Sequence, residues 1–163
     1  MCLPRWLLLA TILTSALPSA VWGQSFTALP KPATALPRVV VWLGVHPFNV
    51  SVAADYPSRA YGLMNRTHLS RTRGMLFVFR DSAPRTFWMK DTRVALDMLF
   101  FNAKYQLVAM QSNAQPCTKA PCKLYPSRIP ARYVLELAAG TAKRLGAQLG
   151  QHLRIVGSLG PIQ

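Results

Sequence analysis

The sequence predicts a mainly β domain, a compact antiparallel barrel or sandwich with two short helices. Three observations lead there. Seven or eight short apolar or alternating runs succeed one another between Arg38 and Val156, each bounded by turn-forming residues. The stretch from Gly74 to Phe101 (GMLFVFRDSAPRTFWMKDTRVALDMLFF) is apolar at nearly every position, as in a buried sheet. The candidate helices are too few and too short to cover both faces of a parallel sheet.

Ahead of the domain, Met1 to Arg5 is short and basic, Trp6 to Val21 is apolar, and Val21-Trp22-Gly23 offers small residues for a signal peptidase. This is the pattern of a secretory signal peptide cleaved near Gly23. A retained anchor fits less well, because the run is barely of spanning length and Pro18 interrupts it. The expected product is a periplasmic or secreted protein with no transmembrane segment. Removing 23 of the 163 residues leaves 140, enough for one domain with a real core. Residues 24–37 form a flexible Pro-rich tail, 38–157 the single β domain and 158–163 a short C-terminal tail.

Arg38 to Leu43 (RVVVWL) is a β-branched run and the first strand. After a turn at Gly44, His46 to Ala54 places Phe48, Val50, Val52 and Ala54 on one face, completing an opening hairpin. Asp55-Tyr-Pro-Ser58 starts a helix. Asp55 or Ser58 caps it, Pro57 sits where its missing N–H is harmless, and about two turns end near Asn65. Arg66 to Arg73, with three arginines and His68, has the composition of a solvated loop. Gly74 to Phe79, Arg85 to Lys90 and Val94 to Phe101 are expected as three consecutive strands, with turns at Asp81–Pro84 and Asp91–Arg93. Asn102 to Tyr105 reverses the chain into Tyr105–Met110, which completes a meander. Ser112 to Ala131 is irregular, with four prolines. Tyr133 to Leu137 (YVLEL) is a strand, Thr141 caps a short helix ending by Gly146, and Leu153 to Val156 is the last strand.

Cys117 and Cys122 are the two cysteines left after cleavage, and in an oxidising compartment a lone close pair is most simply a disulfide. Closing so short a loop contributes roughly 2 kcal/mol on the chain-entropy model. It would pin the long irregular loop.

The net charge of +14 falls to +13 once Arg5 is removed. Export argues against nucleic acid as the partner, leaving an anionic glycan or an acidic envelope component.

Among the five acidic residues, Asp55, Asp81 and Asp91 sit in turns or caps. Asp97 lies mid-strand on a face with Ala95, Leu99 and Phe101, so it needs a partner. Lys90 is the nearest candidate, with Arg66 and Arg85 behind it. If Lys90 opposes Ala95, then Trp88, Lys90 and Asp97 share a face; if it opposes Val94, Asp97 faces Phe87 and Met89. Glu136, flanked by Leu135 and Leu137 near a strand end, is expected to face solvent. Met64, Met75, Met89, Met98 and Met110 include soft donors suited to Cu(I), but three occupy ordinary core positions and no Met-x-Met cluster occurs. No metal site and no cofactor is expected. Nucleophile elbows, HExxH and phosphate loops are absent from the sequence.

Ala54-Asp55, Gly62-Leu63-Met64 with Arg66, GMLFVF (74–79), FWMKDT (87–92), Leu96-Asp97 and Tyr133-Val134-Leu135-Glu136 with Gly140 occur in that order, with the QPCTKAPC loop between. Together they resemble the family known as domain of unknown function 192, from about Val39 to Val156. The resemblance implies a compact, mainly β domain, exported in many members, and transfers no activity. One departure is Gly150-Gln151-His152, where the family tends to have Gly-Asp before its last strand.

The sequence therefore favours an exported, non-catalytic β domain that binds an anionic or polar envelope ligand such as a glycan, through Arg66, Trp88, Lys90 and Asp97. A small hydrolase using Asp97 and Glu136 is one alternative. A structural or partner-binding envelope protein is the other.

Overall fold

A computed structural model describes residues 31–32 and 35–163; the expected signal peptide and most of the expected Pro-rich tail lie outside the described residues. The chain is mainly β, as the alternating runs predict. In order, the elements are β1 (Arg38–Leu43), β2 (His46–Ala53), α1 (Tyr56–Tyr61), β3 (Arg73–Trp88), β4 (Leu96–Phe101), β5 (Leu107–Ala114), β6 (Leu124–Ala138), α2 (Thr141–Leu145) and β7 (Leu153–Val156). They make one seven-stranded sheet in the order β5-β4-β6-β3-β2-β1-β7. No helix among the described residues is long and apolar enough to cross a membrane.

The sheet is neither a closed barrel nor two stacked sheets. Its edges, β5 and β7, meet at one point, where Leu107 donates to the Gln151 carbonyl, and Gly150 and Leu153 donate to Leu107 and Tyr105. Curling this way wraps one face around a core drawn from β1, β2, β3, β4, β6, β7 and α2, including Val41, Leu43, Leu76, Leu99, Leu135 and Leu153. The opposite face of β4, β6 and β3 carries a second core of Met75, Phe77, Met98, Phe100 and Val134, covered by loop residues such as Leu63 and Met89. Strands buried on both faces explain the continuous apolar runs of β4 and the end of β6.

The opening hairpin and the last strand follow the sequence reading. In α1, Asp55 is the N-cap: its carboxylate accepts from the Ser58 N–H at 2.7 Å, and Ser58 returns the bond in a capping box. The helix is one turn shorter than expected, because Gly62 ends it at a φ of 51°. The crossover that α1 begins joins β2 to β3 in parallel, whereas the other pairs of named strands are antiparallel.

Two expectations for the central stretch are overturned. Asp81–Pro84 is no hairpin turn. Both segments it separates belong to β3, and the residues between form a bulge of five steps from Val78 to Ala83 against two from Tyr133 to Ala131 on β6. Arg85 staples the bulge, donating to the Ala131 carbonyl at 2.9 Å and the Asp81 carboxylate at 2.8 Å while its guanidinium lies 3.9 Å from the Phe79 ring centroid. Nor do β3 and β4 pair as a meander: β6 lies between them and bonds both. Its first half was expected to be irregular. Its prolines are tolerated because Pro130 faces Pro84 and Pro126 faces Thr86 beside register shifts, where ladder bonds are already missing.

The Cys117–Cys122 disulfide is present, with Cα atoms 5.8 Å apart. Its loop does more than close itself. Cys117 exchanges backbone bonds with the chain after β3, donating to the Met89 carbonyl and accepting from the Asp91 N–H.

The β3–β6 contact depends on Gly74, where a Cβ would collide with the Glu136 carbonyl oxygen and the Leu137 side chain. Backbone cannot yield as a flexible side chain can. Gly74→Ala is expected to destabilise the domain by about 1–3 kcal/mol in urea denaturation; an unchanged midpoint would show that the two strands can part at no cost.

Candidate functional site

Asp97 and Glu136 sit on adjacent strands, and the sheet sends them in opposite directions. Asp97 pairs with Leu137 and shares the face of the first core; Glu136 pairs with Met98 on one side and Met75 on the other, on the face of the second. Asp97 is fully buried. Its carboxylate accepts from the Ala142 N–H and the Asn113 N–H, both at 2.8 Å, and no cation pairs with it among the described residues. Ala142 lies in the first turn of α2, which has no side-chain cap of its own, so Asp97 caps that helix from a neighbouring strand. Thr141, expected as the cap, is the first helical residue, and Gly140 takes the cap position.

Neither register weighed for Lys90 and Asp97 occurs, because β3 and β4 are not neighbours. Lys90 Nζ instead lies 5.5 Å from the Trp88 ring centroid. Arg85, the more distant candidate, pairs with Asp81. Asp97 opens onto a separate depression with Lys143 and Gly140, apart from Trp88, Lys90 and Arg66. Of the expected four-residue cluster only Trp88 and Lys90 lie together, Arg66 and Asp97 each lining other depressions, and the hydrolase pair of Asp97 and Glu136 is not assembled, since its carboxyl groups do not flank one space.

Glu136 is the residue the sequence reading undervalued. It is 4% exposed, not solvent-facing. Its carboxyl group forms no hydrogen bond or ion pair among the described residues, and burial pushes its pKa up to about 8. It lines a hole of about 30 Å³, room for one or two waters, together with Phe77, Phe87, Leu63, Met64, Trp88 and Lys90. Phe87 is held edge-on between Phe77 and Phe100, with centroids 4.9 and 5.9 Å away. The signal for burial was already present in YVLEL, where both neighbours of Glu136 are large and apolar.

The segment carrying Trp88 and Lys90 is fixed on two sides. Asn65 donates to the Asp91 carbonyl and Arg93 to the Arg66 carbonyl, while Cys117 holds Met89 and Asp91. Arg66 is thus tied by its backbone to the Lys90 segment, though its side chain points elsewhere. It lines two adjoining depressions, of about 340 and 400 Å³, which share Arg38, Ser51, Arg66 and Met75. Arg73, His68, Asn49 and Ser70 extend the first, and Lys31 and Asn65 the second. No carboxylate lines either one among the described residues. Tyr61, Gly62 and Met64 contribute to both the second depression and the Glu136 hole, so groove and hole share a wall. Arg38, Arg73, Asn49 and Ser51 had no distinguishing sequence signal beyond the basic balance.

No group of three or more His, Cys, Asp or Glu side chains able to hold a metal ion occurs among the described residues. Of the methionines, Met64 alone lines the hole, so thioethers are not gathered around it.

Comparison with known proteins places the whole folded domain in one group. A family model for domain of unknown function 192, described as "Uncharacterized ACR", matches residues 39–155. A crystal structure from Sinorhizobium meliloti 1021, carrying a provisional description as a transcription regulator, is 37% identical, with a TM-score of 0.70 over 75% of this chain and 96% of that one. A protein of unknown function from Novosphingobium aromaticivorans DSM 12444 is 31% identical, with a TM-score of 0.67 over 76% of this chain and 89% of that one. No curated protein matches the chain.

A carboxyl group whose pKa rises on folding weakens the native state as pH climbs. The native state keeps the proton between the unfolded value of 4.5 and the folded value of about 8, so this contribution is absent below pH 4.5, grows through that window and is complete above it. Glu136→Gln should remove it. The variant's stability relative to the parent is expected to improve by on the order of 4 kcal/mol between pH 4 and pH 9 in urea denaturation. A pH-independent difference between the two proteins would contradict a buried, isolated acid.

Proposed function

The chain belongs to the domain of unknown function 192 family, and we propose that this member is an anion-binding β domain whose ligand is a carboxylated or sulfated glycan of the cell envelope. The observation that carries this reading is the groove: Arg38 and Arg66 line both of its depressions, Arg73 and Lys31 add one cation each, and no acidic side chain balances them among the described residues. Guanidinium groups bind carboxylate and sulfate with two parallel hydrogen bonds. Asn49, Ser51 and Ser70 supply the amide and hydroxyl groups that sugar hydroxyls require. Trp88, exposed beside the neighbouring hole, offers an aromatic face. Asp97 is left out of this site, its carboxylate being committed to two backbone N–H groups.

Calorimetry with tetragalacturonate, a sulfated heparin fragment and neutral maltohexaose tests the reading. Binding of at least one anionic saccharide is expected, weakening as salt rises, with none for maltohexaose. The double variant Arg38→Glu and Arg66→Glu should weaken it by about tenfold or more. Binding unaffected by that change would remove the groove from consideration. A short DNA duplex belongs in the same experiment, because one structural neighbour is described as a transcription regulator. Tighter binding to DNA than to every saccharide would replace the glycan reading.

We also propose that the protein acts after export, its chain beginning near Gln24. N-terminal sequencing of protein from the periplasmic or medium fraction should return Gln24 or a close neighbour, and thiol titration after denaturation should find neither Cys117 nor Cys122 free. Met1 retained on protein in the cytoplasmic fraction would refute export.

A further inference from the structure

The Glu136 hole poses a problem that the groove does not solve. On the sheet, the neighbours of Glu136 are Met75 and Met98, and neither can bond a carboxylate. From α1, the hole is lined by Arg59 and Tyr61, but Arg59 donates to the carbonyls of Ala54, Val78 and Gln163, and the Tyr61 hydroxyl accepts from Asn65. From the chain after β3, Lys90 rests over Trp88 and the Thr92 hydroxyl donates to the Lys90 carbonyl. β4 contributes no titratable side chain to the hole. An unpartnered acid, only 4% exposed, thus lines a space sized for one or two oxygen atoms, with Lys90 also in its lining.

These features exclude most occupants. A cationic ligand would meet Lys90, which lines the hole. A soft metal ion would find one thioether, Met64, lining the hole. A whole sugar ring is too large for about 30 Å³. A single oxygen of a carboxylate, sulfate or phosphate is not. A neutral carboxylic acid can donate to such an oxygen, and Lys90 lines the same hole.

We propose that Glu136 is a hydrogen-bond donor for oxyanions: a carboxylic acid that shares its proton with one oxygen of the ligand's anionic group, which enters past Lys90 and Trp88. This rests on the anion-binding reading and assigns it a second subsite across the wall formed by residues 61–64. Apolar surroundings keep an acid neutral so that it can donate in this way, and a hydrogen bond to an ionised acceptor is among the stronger kinds. The upward displacement of the Glu136 pKa to about 8 agrees with the geometry, since the acid is then mostly protonated at neutral pH.

The test uses acetate, a single carboxylate too small to need the groove, and tetragalacturonate, each titrated calorimetrically from neutral to alkaline pH. Acetate stays ionised throughout, so Glu136 is the group in the hole that changes state nearest neutrality. Affinity for acetate should be level at neutral pH and fall by about tenfold per pH unit once Glu136 ionises. Glu136→Gln, whose amide is also a neutral donor, should bind within a few-fold of the parent at neutral pH and lose the pH dependence; Glu136→Ala should bind about tenfold or more weakly. Near-ultraviolet circular dichroism checks that both variants are folded. Acetate affinity that rises with pH, an unchanged profile in Glu136→Gln, or no acetate binding at all would each overturn the proposal. Failure of the groove reading looks different: acetate binds with the expected profile, and tetragalacturonate gains nothing from Arg38 and Arg66.

Discussion

β6 runs between β3 and β4 and bonds to both, so from Tyr133 to Leu137 each of its side chains has a neighbour on either side. Three features depend on this placement. Tyr133, Leu135 and Leu137 fill the core inside the curl, while Val134 and Glu136 belong to the outer face. Gly74 must lack a side chain for β3 to lie so close. The outer half of the β3–β6 ribbon, past the bulge stapled by Arg85, carries Trp88 out to the rim where Lys90 and the disulfide loop meet. A pairing between strands fifty residues apart in sequence thus builds both cores and the frame of the site.

The two buried carboxylates show how differently one sheet treats the same chemistry. Asp97 receives two backbone N–H groups and so ties β4 to β5 and to α2. A carboxyl group so satisfied helps hold the structure together. Glu136, one strand away and facing the other way, receives nothing and is driven toward its neutral form by burial alone. A leucine there would pack without that penalty. An acid kept where it weakens the fold is intelligible if it serves the hole it points into, which is why Glu136, and not Asp97, is the functional candidate.

Local chemistry was legible in the sequence; long-range pairing was not. The β1–β2 hairpin, β7 and the Asp55 cap follow from alternation and from an Asp three residues before Ser58, signals that need only neighbours in the chain. The disulfide follows from the spacing of Cys117 and Cys122. Asp81-Ser-Ala-Pro84 misled because turn-forming residues serve a bulge as well as a hairpin. The insertion of β6 between β3 and β4 leaves no local mark, and its first half is disguised by Pro126 and Pro130. With that insertion went the question of Lys90 and Asp97, which presumed that their strands touch. Trp88 and Lys90 were nevertheless singled out for a sound reason, since charged or amphipathic side chains within an apolar stretch need a special setting. That setting is the rim of the Glu136 hole. Arg66 was legible only as one of several arginines in a polar loop, and its groove partners Arg38 and Arg73 lie on other segments.

Charge distribution supplies the remaining link between fold and ligand. Five acidic residues occur in the chain, and the structure occupies several of them locally: Asp55 caps α1, Asp81 pairs with Arg85 and Asp97 caps α2. Glu136 is buried on the side of the 61–64 wall away from the groove. What remains facing the groove is cationic, so its field is set by Arg38, Arg66 and Arg73 with little to offset it. Such a field concentrates anions at the surface but discriminates poorly among them. Discrimination has to come from a contact with strict geometry, and the hole with room for one or two oxygens, lined by aromatic rings and by the buried Glu136, is where the proposal places it. On the proposed reading groove and hole are complementary: long-range attraction would gather the ligand, and Glu136 would select among anions by whether an oxygen reaches it.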